Sequence, residues 1–296
     1  MALGAGLCAG AVAWHLGVAP RWAQRIPPGW SWEAGFVGIE TFPDPKTGEL
    51  PANDTTAVYE RAVRIASDTT RPRSVLLEDR YVIRDPATGA ITWEYIYSAE
   101  VDPGTGEHLA PEYRGQYFVF PRHVEKRIYT LRYSYLKGLP LAFEKEDELD
   151  ELHTYLFSYR GRVEYTESFA GTENYPGVPV KPGEEIKCAD DRFVYRMWVE
   201  PLTGETVKIE EACYAGDYVY DVATGNRLRA VDRWGGTTAG DDVIERVNQV
   251  RDLRTRYLWA TRWAPLLLAL GGGFVLALAT RRKGAGDRSA AQLDVA

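Results

Sequence analysis

The sequence predicts a mainly β protein, an antiparallel sandwich or curved sheet of meander hairpins, with an N-terminal and a C-terminal transmembrane helix. Three observations support this prediction. One turn motif recurs five times, the segments between the turns alternate apolar and polar residues, and an apolar run lies near each end of the chain. Alternation with a period of two is typical of half-buried strands, and apolar runs of about 20 residues can span a bilayer.

The repeated turn begins with an acidic residue and ends in Thr-Gly, with two residues between them. Glycine supplies the positive φ that closes a bulged hairpin, and the leading carboxylate accepts hydrogen bonds from backbone N–H groups two or three residues later. The five copies occupy residues 44–48, 85–89, 102–106, 200–204 and 221–225. Their irregular spacing predicts a series of hairpins and not a solenoid.

The clearest strands flank the fourth copy of the turn. Tyr195, Met197 and Val199 occupy alternate positions before it, and Val207 and Ile209 do so after it. This pattern predicts a hairpin with one buried face. The predicted strands are 57–67, 74–84, 91–101, 115–120, 126–135, 153–167, 191–200, 205–212, 217–220 and 226–232.

Both ends of the chain are predicted to lie in a membrane. Residues 2–19 are apolar apart from His15, and a second apolar run at 263–280 is followed by a cluster of basic residues. Valines at a spacing of three to four residues before the second run predict an amphipathic helix. The predicted segments are a transmembrane helix at 1–20, an extracytoplasmic β domain at 21–240, a juxtamembrane amphipathic helix at 241–262, a transmembrane helix at 263–280 and a cytoplasmic tail at 281–296.

The composition and motifs favour a protein that is not an enzyme. The 296 residues carry a net charge of −7, which argues against nucleic acid as a partner. The sequence contains no nucleophile elbow, zinc-protease motif, phosphate-binding loop or dinucleotide fingerprint. The charged run 144–151 lacks the glycine and the spacing of a calcium loop and is predicted to be a solvated face. We therefore expect no catalytic residue, no cofactor and no metal ligand set.

Cys188 and Cys213 are predicted to form a disulfide. They flank the clearest hairpin, 14 residues before and 10 residues after the turn centre at 202–203. A strand bulge or two would bring them opposite each other, and an oxidising compartment outside the cytoplasm would let the bond form. The alternative is a pair of buried free thiols.

Three sequence blocks resemble a known family. Residues 118–129 contain Phe-Pro followed by Glu-Lys and tyrosine, residues 149–157 contain Leu-Asp-Glu-Leu-His-Thr-Tyr-Leu-Phe, and residues 198–204 read Trp-Val-Glu-Pro-Leu-Thr-Gly. Together they resemble the PorA-like bacterial envelope proteins over roughly residues 30–280. Glu151 stands where the second block usually has glycine, so the sequence leaves open whether a tight turn forms there.

The resemblance implies an extracytoplasmic β domain held by a helix at each end, with no catalytic residues to carry over. Positively charged residues flank the second apolar run on both sides, so the charge pattern alone does not set the orientation. The expectation that both termini are cytoplasmic, with the chain in the cell membrane, rests mainly on the resemblance.

Two functions from different classes fit these expectations. In the first, the β domain binds or transfers an apolar, lipid-like envelope molecule, with membrane lipid as the partner and a ligand site at Trp93, Tyr95, Tyr97, Tyr155 and Phe157. In the second, the protein is a scaffold that organises an envelope complex through its helices, including the glycines at 271–273. An open apolar cleft would favour binding, and a packed sheet with a flat exposed patch would favour a scaffold.

Overall fold

The computed structural model describes residues 2–17, 26, 28–44, 46–66, 74–110, 115–132, 136, 138–165 and 186–291. The chain divides into two compact units. One contains residues 25–251 and holds the sheet. The other contains residues 1–24 and 252–296 and holds the terminal helices. The Gly- and Pro-rich stretch at 170–182 lies outside the described residues.

A single antiparallel sheet of 12 strands dominates the larger unit. Its main path runs in the order β4-β3-β2-β1-β12-β9-β8-β7-β6-β5, and β10 pairs with β8 and β11. The strands are β1 (Ser31–Thr41), β2 (Thr56–Ile65), β3 (Val75–Arg84), β4 (Ile91–Val101), β5 (Tyr129–Leu131), β6 (Leu139–Leu149), β7 (Leu152–Glu164), β8 (Ile186–Val199), β9 (Thr206–Ala212), β10 (Tyr218–Asp221), β11 (Arg227–Ala230) and β12 (Arg233–Thr238). The prediction of a mainly β, antiparallel fold is confirmed, and the strands form one open sheet instead of a sandwich.

The five repeated turns are confirmed in detail. In each one the glycine N–H donates to the carbonyl of the leading acidic residue at 2.8–2.9 Å, and the glycine φ lies between 70° and 76°. The leading carboxylate also accepts a hydrogen bond from the backbone N–H of the threonine, as Glu200 does from Thr203 at 2.7 Å. The motif therefore builds the same hairpin end at five places because each copy has the same glycine and the same acceptor.

Three strands were absent from the sequence prediction: β1, β6 and β12. β12 contains Gly235 and Gly236, and Gly38 of β1 pairs opposite Gly236. A Cβ atom on Gly38 would lie 1.8 Å from the Gly235 carbonyl oxygen, so the two strands approach closely only because neither has a side chain there. β6 was missed because its second half is the charged run.

The predicted strand at 115–120 is wrong. Residues 116–128, which we call the crossing segment, run over the core face of the sheet, and a bridge joins Gln116 at the start of the segment to Leu131 of β5. Phe118 in this segment has φ of 63° and is fully buried. A residue with positive φ interrupts an extended strand, so the alternating aromatic residues here fill the core instead of pairing in the sheet.

A helix packs on the opposite face of the sheet. Helix α2 (Gly240–Leu258) begins directly after β12, and its Val247 and Val250 pack against Leu152 and Val207. The Gly35 backbone N–H of β1 donates to Asp242 Oδ2 at 2.8 Å. Within the larger unit, this helix covers the middle of the sheet.

The smaller unit contains helix α1 (Ala2–Gly17), a π-helical turn (Trp259–Trp263) and helix α3 (Ala264–Ala291). Leu7 of α1 approaches Gly271 of α3, and the Trp14 indole donates to the Ala260 carbonyl at 2.9 Å. The wider turn precedes Pro265, which has no N–H and whose ring would crowd the carbonyl four residues earlier in an α-helix.

The prediction of two membrane-spanning helices is not confirmed. Among the described residues, one continuous helix, Gly240–Leu278, is long and apolar enough to cross a membrane. Helix α1 has 16 residues, with a shorter apolar stretch at Ala5–Trp14. At about 1.5 Å per residue, 16 helical residues are shorter than the roughly 30 Å hydrocarbon layer of a bilayer.

Candidate functional site

Three of the five predicted ligand-binding residues form an aromatic row on β4. Trp93 and Tyr95 stack with ring centroids 5.6 Å apart and nearly parallel planes. Tyr81 of β3 contacts Trp93 edge-on at 6.3 Å, and Tyr97 contacts Tyr117 of the crossing segment at 5.7 Å. Trp93 is 39% exposed, so the row begins at the surface and passes into the core.

The other two predicted residues lie on β7, at a different place in the strand order. Phe157 has no exposed surface and contacts Phe120 and Tyr129 at 5.0 and 5.5 Å. Tyr155 is half-buried beside Phe143, with the Lys126 ammonium 5.3 Å from its ring centroid. The structure therefore does not bring the five residues together into one site.

The crossing segment occupies the space between the two aromatic groups. Tyr117 contacts Tyr97 on β4, and three residues later Phe120 contacts Phe157 on β7. Between them, Phe118 packs edge-on against Trp32 of β1 at 4.6 Å. In the described part of the molecule, the core face of the sheet is thus filled by aromatic side chains of the protein itself.

A buried ion pair connects the crossing segment to the sheet. Arg61 of β2 donates two hydrogen bonds to Asp79 of β3, at 3.0 and 2.6 Å. Tyr117 donates to the same carboxylate at 2.9 Å, and the guanidinium lies 4.8 Å from the Phe118 ring centroid. This pair was not predicted from the sequence, although the strand phase of Arg61 indicates burial. Arg61 has the same strand phase as the apolar residues two positions before and after it.

A groove of about 550 Å³ lies between the first strands of the sheet and helix α2. Its lining is largely charged and includes Glu33, Glu60, Arg64, Arg80 and Glu245. Such a surface does not suit an apolar molecule, because desolvating its charges would cost more than apolar contact provides.

The two ends of the strand order differ in chemistry. β6 carries Pro140 and then the run Glu144 to Glu148, and β5 pairs with only its first three residues. Charge and proline on an outer strand hinder pairing with another chain. β4 contains neither lysine nor proline, and its Glu94 is paired with Arg80 at 2.7 Å. Ile96 of β4 is 55% exposed. Of these two outer strands, β4 is therefore the one that lacks lysine and proline.

Comparison with known proteins decides the family. The family model described as Porin PorA matches residues 1–280. The chain belongs to this family. Membership indicates a membrane or cell-envelope protein, in agreement with the sequence resemblance.

The remaining comparisons add no functional information. No curated protein matches. Among solved structures, an N-terminal dehydratase from the difficidin assembly line is similar over 74% of this chain and 82% of its own, with 10% identity and a TM-score of 0.13. A score that low carries no argument about fold or activity.

In this PorA-family chain, the three sequence blocks meet in space. The block at 118–129 contains most of the crossing segment, and its Val124 N–H donates to the Pro201 carbonyl of the third block at 2.7 Å. The second block forms the turn between β6 and β7 and the first part of β7. The tight turn is present, with Asp150 and Glu151 both at positive φ. The blocks thus hold the crossing segment against the sheet, which is a structural role.

The predicted disulfide is absent from this PorA-family chain. Cys188 and Cys213 are both buried, and no disulfide joins them. In the β8–β9 pairing Val194 lies opposite Ala212, whereas Cys188 lies opposite Val219 of β10. In this register β8 continues well beyond the end of β9, and Cys188 lies beside β10 instead. The two sulfur atoms therefore do not come within bonding distance.

Proposed function

We propose that this PorA-family chain is a non-catalytic envelope scaffold, anchored in the cell membrane through its terminal helices with the β domain outside the cytoplasm. In this proposal the β domain joins another envelope protein along β4. The observation that carries it is the contrast between the aromatic, exposed β4 and the charged β6. A long outer strand without lysine or proline is a template for strand addition by a partner. β4 offers the part that precedes Glu100, because Glu100 and Val101 already pair with Leu109 and His108.

The filled core face also supports a scaffold over a carrier. A protein that transfers a lipid-like molecule needs an apolar cavity of several hundred Å³ that excludes water. Here Tyr117, Phe118 and Phe120 occupy the place where such a cavity would lie. A flat patch of aromatic side chains next to a packed core is instead typical of protein–protein contact surfaces.

The helices offer a second contact for the same scaffold. The glycines at 271–273 in α3 present little side-chain volume, which permits close approach by another helix in a membrane. Leu266, Leu270 and Phe274 of the same helix are well exposed in the described structure, as expected of residues that contact lipid or a partner helix.

Binding of a lipid-like molecule remains a second candidate, because one observation favours it. Trp93 and Tyr95 form a stacked aromatic surface that reaches solvent at the outer strand. An acyl chain or an isoprenoid could lie across such a surface without entering the core. In that case Tyr97 would lie behind the surface formed by Trp93 and Tyr95. Tyr155 and Phe157, which belong to β7, would lie apart from it.

Site-specific photo-crosslinking in native membranes separates the two candidates. A photoreactive amino acid replaces Ile96 on β4, and the matched control replaces Glu148 on β6. A scaffold gives protein adducts of discrete mass from position 96 and not from 148, and Trp93→Asp removes them without lowering the melting temperature. Lipid adducts from a photoreactive residue in place of Tyr95, which stacks with Trp93, would support the second candidate. Equal labelling at positions 96 and 148 would refute a specific edge contact.

Reporter fusions test the orientation. A reporter at Ala296 that works only in the cytoplasm and one at Gly236 that works only outside it are the expected pair. The reverse pair would overturn the proposed topology.

A further inference from the structure

Three acidic side chains surround Cys213 inside the sheet unit. Donor atoms of Asp190, Cys213 and Asp217 all lie within 4.8 Å of one another, and all three residues are buried. Asp190 belongs to β8, Cys213 directly follows β9, and Asp217 directly precedes β10. Asp232, just before β12, interacts with the Asp217 carboxylate. Three separate parts of the sheet thus bring donors to one point, and Asp232 adjoins one of these donors.

Neutral donors hold these groups in place. Tyr165 Oη and Trp234 Nε1 donate to the two Asp217 oxygens at 2.8 and 2.9 Å. The Trp234 backbone N–H donates to Cys213 Sγ at 3.3 Å, and the Arg192 backbone N–H donates to Asp190 Oδ1 at 2.6 Å. Within the described ranges, no lysine, arginine or histidine forms an ion pair with any of the three aspartates. The hydrogen bonds orient the donors but do not neutralise their charge.

Two oxygens of the cluster receive no hydrogen bond from the described residues. They are Asp190 Oδ2 and Asp232 Oδ1. Asp190 has no exposed surface, so water cannot reach that oxygen from the described surface. A buried carboxylate oxygen without a donor is costly and calls for a cation or a proton. Burial accordingly raises the pKa of Asp190 to about 6, and it raises the pKa of Asp217 and of the Cys213 thiol well above their usual ranges.

We propose that Asp190, Cys213 and Asp217 bind a divalent transition-metal ion of the zinc class, with Asp232 as the fourth donor. A thiolate together with carboxylates favours Zn²⁺ over Ca²⁺ or Mg²⁺, which prefer oxygen donors only. Tyr165 and Trp234 then act as the outer hydrogen-bond donors that orient metal ligands. The ion would join β8, β9, β10 and β12 and would stabilise this side of the sheet.

This site was not visible in the sequence. Asp190 and Asp191 appear there as an ordinary acidic pair, but the structure separates their roles. Asp191 faces outward, where it accepts a hydrogen bond from Tyr218 at 2.7 Å and pairs with Arg227. Only Asp190 points inward to Cys213. This difference supplies a matched control one residue away from the proposed ligand.

The test uses the full chain, purified in detergent without a polyhistidine tag and stripped of metal with a chelator. Zn²⁺ and Co²⁺ are added separately, and bound metal is counted by elemental mass spectrometry after desalting. We expect one metal ion per chain, a higher melting temperature with Zn²⁺, and a thiolate-to-cobalt charge-transfer absorption with Co²⁺. Absence of uptake by the wild-type chain would overturn the proposal.

Paired variants assign the ligands. Asp190→Asn and Cys213→Ser should each weaken Zn²⁺ binding by more than about 100-fold, because loss of a direct ligand exceeds the effect of losing an outer hydrogen bond. Asp191→Asn and Cys188→Ser should bind as the wild type does. Equal uptake by Asp190→Asn and the wild type would overturn the site, as would uptake without the cobalt–thiolate absorption.

The metal-free protein gives an independent check. Without metal, Asp190→Asn should keep or raise the melting temperature, since it removes a buried carboxylate that lacks a partner. With Zn²⁺, the order should reverse, and the wild type should melt higher than the variant. If Asp190→Asn melts higher with and without Zn²⁺, the cluster holds protons and the metal proposal fails.

Discussion

Replacement of Arg61 by methionine should destabilise the sheet unit strongly. The Arg61 and Asp79 side chains are only 4% and 9% exposed, and two hydrogen bonds of 3.0 and 2.6 Å join them. Removing the guanidinium leaves Asp79 buried without its cation and also removes the positive charge 3.9 Å from Glu211. Loss of one partner from a buried pair costs about 3–5 kcal/mol, and we expect a value in this range.

The same strands contain a matched control. Arg64 of β2 pairs with Glu78 of β3 at 2.9 Å, so an arginine–carboxylate pair also lies on the opposite face of the sheet. There the side chains are 55% and 30% exposed, and exposed pairs contribute at most about 1 kcal/mol. Arg64→Met should therefore lower the free energy of unfolding far less than Arg61→Met does, although it removes the same kind of charge pair.

Equilibrium unfolding of the full chain in detergent, followed by tryptophan fluorescence and circular dichroism, gives the free energy of unfolding of each variant. A double variant, Arg61→Met with Asp79→Leu, should lose less stability than the sum of the single changes, because neither charge is then stranded. It should not recover fully, since Tyr117 loses its acceptor. If Arg61→Met costs no more than Arg64→Met, the reasoning from burial is wrong.

Three further predictions follow from the backbone and from one buried acid. Glu151→Gly should raise stability by about 1 kcal/mol, because Glu151 has φ of 61° and glycine has no penalty there; an unchanged or lower melting temperature would contradict this. Gly38→Ala should cost about 1–3 kcal/mol through its clash with the Gly235 carbonyl, whereas Gly240→Ala, which meets nothing within 4 Å, should be nearly neutral in the same denaturation assay. Burial raises the pKa of Glu40 from 4.5 to about 8, so the folded state binds this proton more tightly, and stability should fall as pH rises from about 4.5 to 8. Glu40→Gln should make the melting temperature fall less steeply over this pH range. If the melting temperatures of the variant and the wild type fall equally steeply with pH, Glu40 is not the group responsible.

The sequence determined the local structure of this protein. A carboxylate, two spacers and Thr-Gly specify a hairpin end whatever surrounds them, because the hydrogen bonds lie within the motif. All five copies form as predicted. Strand alternation similarly predicted β2, β3, β4, β8 and β9, since a period of two marks a half-buried strand. The long C-terminal helix was visible as an apolar run because its signal is continuous.

The sequence did not predict strands whose residue types are set by a neighbouring strand far away in the chain. β12 reads as a glycine-rich break, but its glycines exist because β1 approaches them from nearly 200 positions earlier in the chain. β6 reads as a solvated charged run because it is an outer strand with little to bury. The aromatic alternation in the crossing segment matched that of a strand, and only the positive φ of Phe118 and its contacts with β1 showed otherwise.

The candidate sites depended on tertiary structure even more. Trp93 and Phe157 both belong to aromatic strands, yet one reaches solvent and the other is sealed behind the crossing segment. Cys213 was expected to meet Cys188, and the register instead places it beside Asp190 and Asp217. A sequence specifies which faces of a strand are apolar, but which strands become neighbours is decided by pairing across the whole chain. Burial, charge neutralisation and metal-ligand spacing all follow from those neighbours.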